Sequence, residues 1–242
     1  RNKHMAHETV LLEESVTALA VKDGGTYVDG TFGRGGHSKA IAAAAKDVTL
    51  IAFDKDETAL ERGRKELFGS SDSTAIAADD KIILVHETFS KMDEALKALD
   101  IKEVDGILLD LGFSSDQLED GRGLTFLKDE PLLMFLGTGE KSPEENAMDV
   151  VNRLSQEDLE HILKEYGEEK HAGIISKAIV AERRLDVITT TGRLVKIIED
   201  AAGRYYRKEK IHPATRTFQA LRIYVNDELG ELERALKNGF EM

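Results

Sequence analysis

The chain has 242 residues, of which 41% are hydrophobic and 33% are charged, and its formal net charge is −13. This length suffices for one large domain or two smaller ones. The lack of cysteine excludes a disulfide scaffold and thiolate metal sites, and it favours a cytoplasmic protein. No apolar run approaches the ~20 residues that span a membrane. The acidity argues against binding nucleic acid by bulk charge, because phosphate contacts require local Lys and Arg.

Four short apolar runs indicate buried parallel strands, because they lack the clean alternation of a strand with one exposed face. They are "TYVDG" (26–30), "VTLIAFD" (48–54), "KIILVHE" (81–87) and "VDGILLD" (104–110). Helical stretches are predicted at 11–20, 38–46, 56–68 and 91–100. Strands that alternate with helices of this length predict βαβ units and a parallel α/β sheet.

After Asp110 the alternation stops, and residues 114–203 contain no convincing strand. A helix is predicted over 155–167, with Ser155 as N-cap and Gly167 as its stop, and further helices over 170–184 and 190–203. One long amphipathic helix over 215–239 is expected to return to the sheet. We therefore expect a sheet domain formed by 6–113 plus 212–242, and an inserted helical domain over 114–211.

The stretch "DGTFGRGG" (29–36) follows the first strand directly. Glycine lets a ligand approach the backbone, and amides at a helix start favour negative charge. The turn therefore predicts a site for a nucleotide-like ligand. Its spacing, Asp-x₃-Gly-x-Gly, differs from the dinucleotide-binding fingerprint.

Three aspartates follow neighbouring strands of the predicted sheet. Asp29 and Asp54 end the first and second strands, and Asp110 ends the fourth. The carboxyl ends of the strands are where open α/β sheets bind ligands, and an acid after the second strand can bind ribose hydroxyls. Three acids suit a cationic ligand such as S-adenosylmethionine better than a pyrophosphate. The alternative is that these side chains only cap helices and turns.

Six motifs in this order resemble those of the bacterial 16S ribosomal RNA cytosine-N4 methyltransferase family (MraW/RsmH type). They are "HETVLLEE" (7–14), "DGTFGRGGHS" (29–38), "DGILLDLGFSS" (105–115), "QLEDGRGLTF" (117–126), "YGEEKHAGIISKAIV" (166–180) and "KIHPATRTFQALRIYVNDEL" (210–229). The likeness spans nearly the whole chain. It implies a Rossmann-like class I enzyme that uses S-adenosylmethionine to methylate a cytidine of the small ribosomal subunit.

The resemblance also implies a set of cofactor-binding residues, each at the matching position of a family motif. They are Gly35, Gly36, His37, Asp54, Phe89, Asp110 and Gln117. The first three would contact the methionine part, Asp54 the ribose and Phe89 the adenine. Two alternatives stay open here: Phe89 is a core aromatic, and His37 bonds only backbone at a helix start.

For the reaction, Asp110 is our candidate acceptor of hydrogen bonds from the cytosine amine, with the loop 113–115 as a wall for the base. A base within folded RNA must leave its stack to reach such a pocket. The basic stretch "RYYRKEKIHPATR" (204–216) holds the candidates for RNA contacts, against the alternative of a solvated helix end. These are Arg207, Lys208, Lys210, His212 and Arg216.

The chain departs from the family pattern in two places. In "EPLLMFLG" (130–137), Leu133, Phe135 and Gly137 replace two acids and an arginine, which leaves an apolar patch that needs burial. The chain also stops at "LKNGFEM", where the family continues into further strands. We therefore expect four of about seven strands and a bare edge on the fourth. A shortened chain, a partner on that edge and a missing part of the sequence all fit this pattern.

Two other functions compete with the enzyme. A non-catalytic RNA- or ribosome-binding protein that keeps the cofactor fold is consistent with both departures. An NAD-dependent dehydrogenase is disfavoured by the glycine spacing and by the lack of a plausible hydride-transfer pair. The sequence leaves the oligomeric state open, a homodimer included.

Overall fold

The computed structural model describes residues 9–68, 81–113, 117–118, 120–137 and 145–239. By its contacts the chain divides into two compact units. The first unit comprises 1–114, 137–141 and 230–242, and the second comprises 115–136 and 142–229. The segment 212–229 thus belongs by its contacts to the second unit, whereas the sequence led us to place it with the sheet.

The first unit is built on a parallel sheet, as predicted. Its strands are β1 (Thr26–Asp29), β2 (Thr49–Asp54), β3 (Lys81–His86) and β4 (Gly106–Leu108). They lie in the order β3-β2-β1-β4, and every neighbouring pair is parallel. The register places Tyr27 of β1 opposite Leu50 of β2 and Gly106 of β4.

In chain order the helices of the described residues are α1 (Leu12–Leu19), α2 (Gly36–Ala44), α3 (Glu57–Phe68), α4 (Met92–Ala98), α5 (Ala147–Arg153), α6 (Gln156–Gly167), α7 (Ala172–Glu182), α8 (Thr191–Tyr206), α9 (Thr215–Val225) and α10 (Glu228–Gly239). A short 3₁₀ helix, Phe89–Lys91, precedes α4. None of them combines the length and the apolar character that a membrane crossing requires.

Helices cover both faces of the sheet. Successive residues of a strand point to opposite faces. Tyr27 accordingly packs with Ile41 of α2, whereas Val28 packs with Met92 of α4 and Ala235 of α10. Both strand residues are fully buried. Burial on both faces explains why the strand sequences are apolar without alternation.

The second unit is helical and has its own core. In it α6 packs against α7, α7 against α8, and α9 against α6. The core contains buried side chains from each of these helices, among them Leu159, Ile175, Leu194 and Leu221. Its described part contains no strand, only an isolated bridge between Pro131 and Thr190.

Both ends of α6 are where the sequence predicted them. The Ser155 hydroxyl accepts a hydrogen bond from the Asp158 amide at 3.0 Å, so the predicted N-cap is confirmed. The helix ends at Gly167, as predicted, and the residue in the left-handed conformation is the next one, Glu168, with φ of 50°. A Cβ built on Gly167 would lie 2.4 Å from the Arg216 carbonyl oxygen. Gly167 therefore allows α6 and α9 to approach closely.

The single helix expected over 215–239 is also wrong, since α9 and α10 are separate helices. The break follows from Asn226, whose Nδ2 donates to the Met134 carbonyl at 2.7 Å and whose Oδ1 accepts from the Leu136 amide at 2.8 Å. Asp227 then takes a left-handed conformation, with φ of 46°. A side chain that bonds a distant segment has ended the helix.

The apolar patch of "EPLLMFLG" is buried within the second unit. Leu132, Met134 and Leu136 are almost fully buried, and Phe135 packs partly against the same core. The Arg122 guanidinium lies over the Phe135 ring, 5.7 Å from its centroid. The sequence analysis expected this apolar segment to be buried, and the second unit buries it.

Candidate functional site

Three carboxylates lie at the carboxyl edge of the sheet. Asp54 is the last residue of β2, Asp29 the last of β1, and Asp110 follows β4. Because β2, β1 and β4 are neighbours in the sheet, these side chains line one edge. This is the edge at which open parallel sheets bind their ligands.

Asp29 organises the turn that follows β1. It is fully buried and accepts hydrogen bonds from the Thr31 amide at 3.0 Å and the Ser38 hydroxyl at 2.6 Å. Burial raises the pKa of the carboxyl, and these two hydrogen bonds oppose that rise. Asp29 thus ties β1 to the first turn of α2, which matches the alternative that it caps a turn.

The glycines of this turn have two roles: some allow close packing, and one leaves the backbone open to a ligand. Gly33 and Gly35 have φ of 53° and 73°, which glycine adopts readily. A Cβ on Gly36 would lie 2.1 Å from the Thr9 hydroxyl, and one on Gly35 would lie 2.8 Å from the Phe32 ring. Among the residues that the structure describes, a Cβ on Gly33 would meet only the Thr31 carbonyl, at 3.9 Å. The open approach to the backbone is therefore at Gly33.

Asp54 connects the end of β2 to this turn. Its Oδ2 accepts from the Gly33 amide and its Oδ1 from the Asp56 amide, each at 2.8 Å. Burial raises the pKa of Asp54, and both hydrogen bonds oppose that rise. Each carboxylate oxygen can accept a second hydrogen bond, so ribose hydroxyls remain suitable partners.

Asp110 is the carboxylate of this edge that is open to solvent, and the buried His37 lies beside it. His37 is 5% exposed, and its Nδ1 lies 3.7 Å from Oδ2 of Asp110, whose side chain is 51% exposed. The Asp110 amide donates to the Thr31 hydroxyl at 2.7 Å, which fixes the backbone after β4. Among the described residues, none accepts or donates a hydrogen bond at Nε2 of His37. A buried ring nitrogen without a partner, beside an accessible carboxylate, suits a bound ligand.

The remaining predicted cofactor residues lie in different units. Phe89 is half-buried, packs against the core of the first unit, and sits beside Gly30, where its Cβ lies 2.9 Å from a Cβ built on that glycine. Phe89 is consistent with both interpretations, a core aromatic and a cofactor contact, since it packs against the core and lies at the carboxyl edge. Gln117 belongs to the second unit, and its Nε2 donates to the Leu136 carbonyl at 3.0 Å.

The candidate RNA-binding residues fall into two groups. Arg207, Lys208 and Lys210 are exposed. His212 is held in place, with Nε2 3.2 Å from Glu199 and its ring stacked on Phe126 at 4.7 Å.

Arg216 belongs with His212, since it forms an ion pair with Glu209 at 3.2 Å. A hydrogen bond to the Tyr206 side chain is the main cause that raises the pKa of Arg216. The first group presents its charges to solvent, whereas His212 and Arg216 also order the second unit.

Sequence reasoning missed two residues that shape the site. Thr31 fixes the backbone at Asp110, and Ser38 bonds to Asp29. Both lie inside "DGTFGRGGHS", so the motif itself pointed to them. The buried Glu169, which accepts a hydrogen bond from the Tyr206 hydroxyl, also lies inside a motif, "YGEEKHAGIISKAIV" (166–180), but that motif did not indicate its partner, which is 37 residues away in sequence.

A parallel sheet with a glycine turn after β1 and acids at neighbouring strand ends defines a Rossmann-like domain of the methyltransferase class. The chain belongs to the MraW methylase family, whose sequence model matches residues 4–242. The resemblance drawn from the six motifs is thereby confirmed.

Three curated relatives, each named ribosomal RNA small subunit methyltransferase H, cover nearly all of this chain. The protein from Nitrosospira multiformis is 45% identical, over 98% of this chain and 71% of the relative. The proteins from Nitrosomonas eutropha and a Drosophila simulans Wolbachia are 44% and 43% identical, over 98% of this chain and 71% and 77% of their own lengths.

Proposed function

We propose that this chain transfers a methyl group from S-adenosylmethionine to N4 of a cytidine in the 16S RNA of the small ribosomal subunit, in the cytoplasm. Family membership and the relatives' names support the reaction class and the RNA substrate. The observation that carries the proposal is the exposed Asp110 carboxylate beside the buried His37 at the edge of the sheet.

The residues at the edge fit S-adenosylmethionine. Its sulfonium and amino groups are positive, and three carboxylates line this edge. The open approach at Gly33 and the unpartnered Nε2 of His37 offer a surface and a polar contact. Gly35, Gly36, His37, Asp54, Phe89 and Asp110, all of the first unit, would hold the ligand. When bound, S-adenosylmethionine supplies an electrophilic methyl group.

Asp110 has the properties of an acceptor for the target amine. The lone pair of cytosine N4 is delocalised into the ring, so the amine is a poor nucleophile. A carboxylate that accepts hydrogen bonds from this amine stabilises the positive charge that develops on it. His37 lies beside this carboxylate, with Nδ1 3.7 Å from Oδ2 of Asp110, and positioning of N4 supplies the rest of the rate enhancement.

RNA contacts are proposed for Arg207, Lys208, Lys210, His212 and Arg216. The three exposed cations suit backbone phosphates, which dominate the affinity of most RNA-binding surfaces. The target base must leave its stack, because an amine inside a duplex cannot reach a carboxylate at a sheet edge.

Calorimetric titration of S-adenosylmethionine tests the cofactor site. We expect the wild-type chain to bind and both Asp54→Ala and Asp110→Ala to weaken or abolish binding. Asp200→Ala is the matched control, since Asp200 is an exposed carboxylate that pairs with Lys196 on α8. Methyl transfer to 30S particles then tests the reaction. A folded wild-type chain that binds no S-adenosylmethionine would refute the proposal and favour a non-catalytic RNA-binding protein.

A further inference from the structure

An exposed aromatic ring stands at the end of α8 between two other groups. Tyr205 is 42% exposed. The His171 ring is stacked on it, with centroids 4.5 Å apart and planes 19° apart. The Arg204 guanidinium carbon lies 4.8 Å from the Tyr205 centroid, and its Nη2 donates to the Tyr205 hydroxyl at 2.8 Å. We name these three residues the Tyr205 stack.

We infer that the Tyr205 stack is a platform on which an unpaired RNA base stacks. The inference rests on the proposed function, which makes RNA the substrate, and it assigns a role to His171, Arg204 and Tyr205. Single-stranded nucleic acids bind where aromatic side chains stack the bases and cations follow the backbone.

Hydrogen bonds to a buried carboxylate hold the backbone that carries the Tyr205 stack. Tyr206, next in sequence, is buried, and its hydroxyl donates to the buried Glu169 carboxylate. The same carboxylate accepts a hydrogen bond from the His171 amide at 2.9 Å. Burial and the bond to Glu169 raise the pKa of Tyr206 to about 12, so its hydroxyl stays a donor at neutral pH. Glu169 thus fixes both stretches of backbone that carry the stack.

Positive charge follows the platform directly in sequence. Arg207, Lys208 and Lys210 are exposed, and among the described residues no carboxylate forms an ion pair with them. Glu209, the acid in this stretch, is already paired with Arg216. In a chain of net charge −13, this local set of cations is a surface for phosphates.

The planar geometry favours a base over an acidic protein segment. An acidic segment would pair with the cations and would gain nothing from two nearly parallel rings. A base extends such a stack, either on the outer face of the Arg204 guanidinium or in its place above Tyr205. In the second arrangement Arg204 becomes free to bind a phosphate. Stacking of this kind tolerates any base, so the site takes an unpaired nucleotide without reading its identity.

The chain contains no tryptophan, which makes a direct test available. In Tyr205→Trp the new indole is the sole tryptophan, and base stacking on it quenches its fluorescence. We expect titration with a short oligouridylate to quench this emission. An abasic oligonucleotide of the same length should bind through its phosphates without quenching. Tyr224→Trp is the control, since Tyr224 packs against Tyr166 elsewhere in the same unit.

Affinity measurements with two further variants complete the test. Tyr205→Ala should weaken oligouridylate binding about five- to hundredfold, whereas Tyr205→Phe, which keeps the ring, should stay near wild type. Far-ultraviolet circular dichroism and urea unfolding of both variants report that the fold is intact. Unquenched Tyr205→Trp emission despite bound oligouridylate would overturn the inference. So would quenching by polyglutamate alone, which would assign the surface to an acidic protein.

Methyl transfer by the wild-type chain separates the two proposals. If oligouridylate quenches Tyr205→Trp but the wild type methylates no 30S particle, the platform stands and the proposed function fails. If the wild type methylates 30S particles and Tyr205→Ala binds oligouridylate as tightly as the wild type, the platform fails and the proposed function stands.

Discussion

The two units handle charge in opposite ways. The first unit withdraws the carboxylates of Asp29 and Asp54 from water, and burial raises the pKa of both. The second unit leaves Arg207, Lys208 and Lys210 exposed to solvent. Burial shifts the pKa of a charged group and shields the group from salt. Salt screens the interactions of an exposed charge much more strongly. The comparison therefore matches the two roles proposed above, a site for one small cationic ligand in the first unit and a surface for an extended polyanion in the second.

The largest effect is expected at the exposed end of the first site. Asp110→Asn removes the negative charge next to the target amine and should lower the turnover number for methyl transfer about hundred- to thousandfold. Incorporation of labelled methyl into 30S particles measures it. Asp200→Asn, which removes an exposed charge on α8, is the control. Equal turnover by Asp110→Asn and wild type would remove Asp110 from the reaction.

The cations of the second unit lie in the turn that joins α8 to α9. Gly167 tests how closely α9 packs against α6. Gly167→Ala places a Cβ 2.4 Å from the Arg216 carbonyl oxygen, so α6 and α9 must separate. We expect the free energy of unfolding to fall by about 1–3 kcal/mol. In the control Gly203→Ala, on α8, the nearest atom lies 3.9 Å away, and a gain of about 0.5–1 kcal/mol is expected. Urea unfolding measures both, and similar values for the pair would contradict the close approach.

Salt should distinguish the exposed cations from the buried acids. Replacing Arg207, Lys208 and Lys210 together by glutamine should make the dependence of log affinity for single-stranded RNA on log salt less steep. The slope should fall by about 0.7 for each RNA phosphate that the variant no longer binds. Binding of S-adenosylmethionine should change little with salt in either protein. An unchanged slope would show that these cations do not contact RNA.

Lowering the pH should change the stability contributed by the carboxylates of the first unit. Because burial raises the pKa of Asp54 above its ordinary value of 3.8, ionised Asp54 costs stability in the folded state. Its contribution is most favourable below pH 3.8 and is lost as the pH rises through the folded pKa. Asp54→Asn, which cannot ionise, should therefore gain stability relative to wild type as the pH rises. Urea unfolding at about pH 4 and about pH 7 measures this difference; a constant difference would contradict the raised pKa.

The same pKa shift predicts how the ligand responds to acid. In the proposed site Asp54 accepts hydrogen bonds from the ribose as a carboxylate, so affinity for S-adenosylmethionine should fall as the pH drops through the raised pKa of Asp54. Calorimetry across this range is the measurement. Affinity for single-stranded RNA at Arg207, Lys208 and Lys210 serves as the comparison, since arginine and lysine stay charged there.

The predictable part of the molecule is that encoded by neighbouring residues. The strands followed from apolar runs that both faces of the sheet bury, and the acids at the strand ends followed from their places in those runs. The N-cap at Ser155 was equally local. In each case the residues that determine the structure lie within a few positions of one another.

The failures have one physical cause, which is contact between distant segments. The sequence placed the end of α6 correctly at Gly167, but it did not indicate the close approach of α9 there, 49 positions further on at Arg216. The break before α10 depends on Asn226 and on backbone groups about 90 positions earlier. The pairing of His171 with Tyr205 likewise required the packing of α7 against α8, which no local pattern encodes.

The amide of Asn226 has a consequence for how this part of the chain can vary. It holds the segment 134–136 only through main-chain atoms, the Met134 carbonyl and the Leu136 amide. Those atoms are the same for every residue except proline. The side chains of Leu133 and Phe135 take no part in these two hydrogen bonds, so both residues can stand where the family carries charges without removing them. Substitutions at 133 and 135 can accordingly change the chemistry of this segment while Asn226 keeps hold of its backbone.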